Sequence, residues 1–127
     1  MCFCVLKNQR VKTAKEDIVC YKIIHADLRS NMQLFQYEYG KTYKIKKFPE
    51  YIKIPDFYSA TPHHWSHSTR IINEGFHSYI TLPPPPPSAY GFKLLVECII
   101  PKGSRYHFNK KHNEYVSNSI KIVKKLN

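Results

Sequence analysis

The sequence predicts an α+β domain with a mostly antiparallel, split or two-sheet β core and few short helices. Three observations carry that expectation. Strand-like segments outnumber helix-like ones along the chain. Ten Tyr and seven Phe stand against one Trp, and such rings suit pleated surfaces. One helix-like segment, residues 64–73, ends near Gly75, a helix-stop signal. With 127 residues, 43% hydrophobic and 14% aromatic, the chain is long and apolar enough for one folded domain spanning 1–127.

The elements follow in order. Residues 17–24 (DIVCYKII) read as a buried strand ending at His25. Residues 33–39 alternate weakly up to Gly40, and residues 41–47 (KTYKIKK) place Tyr43 and Ile45 on one face. Together they suggest a hairpin turning near Gly40. Residues 48–62 contain Pro49, Pro55 and Pro62 and read as an irregular loop. Residues 76–82 (FHSYITL) form a short strand, and residues 83–87 are five prolines, a polyproline II segment that reads as a stiff surface connector ahead of the alternative, an exposed ligand for an aromatic groove. Residues 94–100 are apolar on both faces, as a central strand requires, with Glu97 the awkward member. Pro101-Lys102-Gly103 marks a turn. A last alternating segment covers residues 115–123.

The net charge of +11 comes from sixteen Lys and only four Arg against nine acids. Such a surface favours acidic partners: nucleic acid, nucleotide phosphates or an acidic protein. The Lys bias weakens base-specific readout, which relies on the Arg fork. No apolar run is long enough to span a bilayer, so no membrane role is expected, and the start lacks a secretory pattern. A cytoplasmic location is the expectation.

Chemistry-bearing residues are few. Cys2, Cys4, Cys20 and Cys98 lack zinc-ligand spacing, and the last two lie in apolar runs as small core residues. His63 and His67 stand at i and i+4 beside His64, but no Cys or Asp accompanies them, and a metal would need distant ligands such as His107 or His112. No metal site is predicted. Phosphate-loop, dinucleotide-fingerprint, nucleophile-elbow and zinc-protease motifs are absent from the sequence. Glu114 is the only acid after Glu97, amid seven Lys and Arg from Lys102 to Lys125. It could bind a substrate at a strand edge or simply pair with Lys110 or Lys111.

The order of these segments resembles one family. A strand ends in His25, then come Gly75-Phe76-His77-Ser78-Tyr79, the strand from Leu94, and Asn113-Glu114-Tyr115-Val116. This is similar to the ADP-ribosyltransferase superfamily, in particular its poly(ADP-ribose) polymerase and diphtheria-toxin branch. The resemblance implies NAD as substrate, with His25 holding its ribose and Glu114 stabilising the oxocarbenium-like transition state. His77, Tyr79 and Tyr115 would complete the nucleotide site. A fixed anion suits that chemistry, because breaking the nicotinamide–ribose bond builds positive charge on the sugar. The sequence departs from the family at two points: its His-Gly is His25-Ala26 here, and the stacking tyrosine falls at His77, two residues before Tyr79. Those departures lead to an expectation of weak or absent turnover. The GFHSY and YEYGKTY segments also resemble small uncharacterised proteins of bacteria and their phages, which would place the chain in a host cytoplasm. The alternative function is a non-catalytic basic protein that binds an acidic host partner or nucleic acid, or a small virion component.

Overall fold

The computed structural model describes residues 3–5, 8–25, 27–28, 36–52, 70–72, 75–84 and 93–126. These form twelve strands and no helix. They are β1 (Phe3–Val5), β2 (Gln9–Arg10), β3 (Lys12–Thr13), β4 (Ile18–His25), β5 (Thr42–Lys44) and β6 (Tyr51–Ile52), then β7 (Arg70–Ile72), β8 (Phe76–Tyr79), β9 (Lys93–Ile100), β10 (Arg105–Asn109), β11 (Glu114–Ser117) and β12 (Ser119–Lys125). Eight of them make one sheet in the order β3-β10-β11-β8-β4-β9-β12-β5, and β1-β7 and β2-β6 are two-stranded ribbons. Every strand pair is antiparallel.

The expected α+β class is therefore corrected: the described residues are all-β. Residues 70–72, the end of the helix expected over 64–73, are strand β7, paired with β1. Two isoleucines in succession suit a strand better than a helix end. Residues 64–69 lie outside the described residues, as do His63, Cys2, residues 33–35, 53–62 and 85–87. The hairpin expected at Gly40 is also corrected. Gly40 does turn with a φ of +79°, a glycine conformation, but among the described residues β5 pairs with β12, and Tyr39 of the segment before it bridges Ile122 of the same strand. Alternation specifies a strand and a buried face, but not the partner.

β9 is central, as its double-sided apolar pattern predicts, between β4 and β12. Glu97 stands in register with Lys124 of β12. The alternation of β4 divides cleanly. Cys20, Lys22 and Ile24 point to the core, while Val19, Tyr21, Ile23 and His25 take the other side. The inner face joins Cys20, Ile24, Val96, Cys98, Ile100, Ile120 and Ile122 with Phe76 and Tyr37 in one cluster.

The segment expected as one strand, residues 115–123, is two. β11 ends at Ser117 and β12 begins at Ser119, on opposite sides of β8, β4 and β9. Four strand spacings in a flat sheet span about 19 Å, whereas two residues reach about 7 Å. The sheet must therefore curl around its inner face, and Asn118 marks the place where it comes together. Its N–H donates to Arg105 O at 3.0 Å, its Oδ1 accepts the Arg105 N–H at 2.9 Å, and its carbonyl accepts the Ile45 N–H at 2.9 Å. Asn118 thus ties the β10 side of the sheet to the segment leaving β5.

Candidate functional site

Directly opposed residues of an antiparallel sheet share a face. The register therefore sets a row across five strands on the outer face: Glu97 of β9, Tyr21 of β4, Tyr79 of β8, Glu114 of β11 and Asn109 of β10. Tyr21 and Tyr79 are cross-strand partners in it, with Glu97 and Glu114 next in register beyond them. Glu114 is 8% exposed although it carries an acid. The Tyr79 phenol is pushed up from its ordinary value, first by burial and then by the charge of Glu114. The Tyr79 hydroxyl and the Glu114 carboxylate thus share one electrostatic environment.

Local chemistry holds this end of the row. The turn after β10 closes with an Asn113 N–H to Lys110 O bond of 3.2 Å, and Asn113 has a φ of 56°. Asparagine tolerates that left-handed conformation better than most residues. Its side chain clamps the segment after β8: Oδ1 accepts from Thr81 N at 2.8 Å and from Thr81 Oγ1 at 2.9 Å, and Nδ2 donates to Thr81 O at 3.2 Å. Tyr79 and Glu114 are therefore fixed on both of their strands.

His77 lies on the same face, one alternation back from Tyr79, opposite Val116. His25 closes β4 opposite Lys93 and shares that face too. It stands four residues beyond Tyr21, about 13 Å along the strand, so it does not touch Glu114. Tyr115 is separated from the others. It pairs with Ser78 and Phe108 on the inner face and packs against the core. Of the five residues singled out in the sequence, Tyr79 and Glu114 meet, His77 and His25 extend the same face, and Tyr115 leaves it. Period-two geometry accounts for this, because Glu114 and Tyr115 are consecutive in a strand and must point apart.

Two residues of this region were not anticipated. Tyr21 was legible only as part of an apolar run. Lys22 is buried on the inner face, where its ammonium donates to His77 O and stands 5.7 Å from the Tyr37 ring centroid. Burial lowers its pKa. The available signal was its phase, since Lys22 falls at the inward position between Cys20 and Ile24. Cys20 and Cys98 face each other across β4 and β9 as buried free thiols, in keeping with their reading as core residues.

Among the described residues no group of His, Cys, Asp and Glu could hold a metal ion. His107 is committed elsewhere. Its Nε2 lies 2.7 Å from Pro49 O, its Nδ1 lies 3.2 Å from Gln9 Oε1, and its ring stacks on Phe48 at 5.5 Å. The same packing explains Gly75. A Cβ there would sit 2.7 Å from Val116 Cγ2 and 2.9 Å from Phe48 Cε1, and its φ is +104°.

Cross-strand tyrosines beside a buried carboxylate suit a flat heteroaromatic ring joined to a sugar. The rings offer a stacking face, and the carboxylate accepts hydroxyl hydrogens or opposes a developing cation. Compared with protein families, curated proteins and solved structures, the chain matches none.

Proposed function

We propose that this chain is an ADP-ribosyltransferase-like domain that binds NAD or a related nucleotide on the outer face of its sheet. The observation that carries the reading is the Tyr79–Glu114 pair on hydrogen-bonded strands, with His77 and His25 on the same face. The four sequence segments that prompted the resemblance lie on adjacent strands, β11, β8, β4 and β9. In this reading Tyr79 stacks on the nicotinamide. Glu114 faces the ribose carbon as its bond to nicotinamide breaks and positive charge builds there. His25 reaches the distant part of the ligand, because a dinucleotide is long enough to bridge a gap that no side-chain contact closes. The substitution of alanine at position 26 and of histidine at position 77 predicts slow or absent turnover, so binding is the primary readout.

Calorimetry with NAD and ADP-ribose tests the binding, and nicotinamide release tests the chemistry. Wild-type protein should bind NAD. Glu114→Gln should stay folded and lose any nicotinamide release by about two to three orders of magnitude, the scale expected when a preorganised charge is removed. No heat from either ligand at millimolar concentration, with no nicotinamide released, would overturn the reading. The basic interaction protein would then take its place.

A further inference from the structure

The inner face of the sheet carries a different constellation, at the β3 edge. Register sets Lys12 opposite Tyr106, and Phe108 opposite Tyr115. The three rings form one group. Tyr106 meets Tyr115 edge-on at 5.7 Å and 86°, and lies 6.5 Å from Phe108. All three are half-buried, and the Lys12 ammonium stands 5.6 Å from the Phe108 ring centroid. Beside Tyr106 opens a cleft of about 800 Å³ lined by Lys12, Thr13, Lys15, Glu16, Asp17 and Ile18. Asp17 braces the cleft, since its Oδ1 accepts the Lys102 N–H at 2.8 Å. Glu16 is an exposed acid of the same lining.

We propose that this cleft binds single-stranded nucleic acid, with a base against Tyr106 and the flanking phosphates on Lys12 and Lys15. The chemistry separates this ligand from other polyanions. A half-exposed ring offers stacking to an unpaired base, and a duplex keeps its bases stacked inside. An acidic protein would use the two lysines, but its carboxylates have no flat face to stack on the ring. The overall charge of +11 draws any nucleic acid to the surface, and the cleft supplies the local selection for a single strand. Lysine ammonium groups are point charges without the guanidinium fork, so sequence preference should be slight. The cleft lies on the opposite face of the sheet from the Tyr79–Glu114 row, and the inference does not depend on NAD binding.

The test is fluorescence anisotropy with a labelled ten-nucleotide oligo(dT), titrated between 50 and 200 mM salt. A duplex of equal length and polyglutamate serve as competitors. Tyr106→Leu should weaken binding about tenfold, the scale of one lost base stack. Lys12→Gln with Lys15→Gln should lower the slope of log affinity against log salt by about 1.4, two phosphates' worth for a single strand. The charge-matched control, Lys121→Gln with Lys124→Gln on the outer face, should leave that slope nearly unchanged. Where Tyr106→Leu does not fold, photocrosslinking wild-type protein to a 5-iodouracil oligonucleotide reads the same contact. Crosslinks should then map to Tyr106, Phe108 or Tyr115. Equal competition by duplex or polyglutamate, equal slope changes in both lysine pairs, or crosslinks confined to other regions would each overturn the proposal.

Discussion

At the residue scale, His107 shows how burial turns a polar side chain into a pH-sensitive brace. Its Nε2–H must donate to Pro49 O, since a carbonyl can only accept. Gln9 is held in one orientation, because Nε2 donates to Phe108 O and Oε1 accepts from Phe108 N, both at 2.9 Å. The neutral ring therefore turns a bare Nδ1 toward an acceptor, and only a charged ring could donate there. Burial, the largest influence, opposes that charge and lowers the pKa from 6.5, although the bond to Pro49 works the other way. The folded state then binds fewer protons than the unfolded state just below pH 6.5. The stability contribution is whole above that pH and is lost as pH falls through 6.5 toward the folded value. Melting temperature should thus drop between pH 7.5 and pH 5, and more steeply for wild-type than for His107→Gln. Identical slopes for the two proteins would assign the pH dependence to other groups.

At the element scale, legibility followed pattern strength. β4 and β9 were readable because eight-residue runs rich in β-branched residues have few alternatives, and both lie at the centre of the sheet. The position of Glu114 at a strand start was readable from the polar turn before it. Partner choice was not. The residues of β5 alternate properly yet pair with β12, some 75 positions later, because only the curl of the whole sheet brings those strands together. The break at Asn118 was invisible for the same reason: the alternation runs through it almost unchanged, and the hydrogen bonds that interrupt it come from Arg105 and Ile45. Tyr115 lies on the face opposite Tyr79 and Glu114, which a motif match does not reveal because it ignores the side to which a strand residue points. The centrality of β9 yields a direct expectation. Val96 is 0% exposed within the core cluster, so Val96→Asp brings a carboxylate into the core opposite Lys22 of β4 and Lys125 of β12. The Lys22 ammonium is already engaged by His77 O and its pKa is lowered by burial, while Lys125 is exposed. An uncompensated buried charge costs several kcal/mol, a large part of the about 5–15 kcal/mol that holds a domain folded. The variant should lose cooperative thermal unfolding or melt more than 10 °C lower, as circular dichroism would read.

At the scale of the whole molecule, the excess of positive charge sets the balance. A net charge of +11 on a 127-residue chain repels itself in the compact state more than in the expanded one. Exposed ion pairs among the described residues offset little of this. Lys41–Glu38 at 3.6 Å and Arg105–Glu50 at 2.8 Å both involve largely exposed carboxylates, and such pairs contribute about 0–1 kcal/mol. The basic segments also meet in space. The sheet curls so that Arg105 approaches the segment leaving β5, where Lys46 and Lys47 follow Ile45. Salt should therefore stabilise the fold by screening repulsion over about 10 Å at 0.1 M. Raising sodium chloride from 20 to 300 mM should increase the melting temperature by a few degrees, with most of the gain below 150 mM. Polyphosphate should act at far lower concentration, because it binds the folded surface as well as screening it. A melting temperature that falls with added sodium chloride would mean that attractive pairs outweigh repulsion, and the charge could not then be read as held in reserve for an anionic ligand.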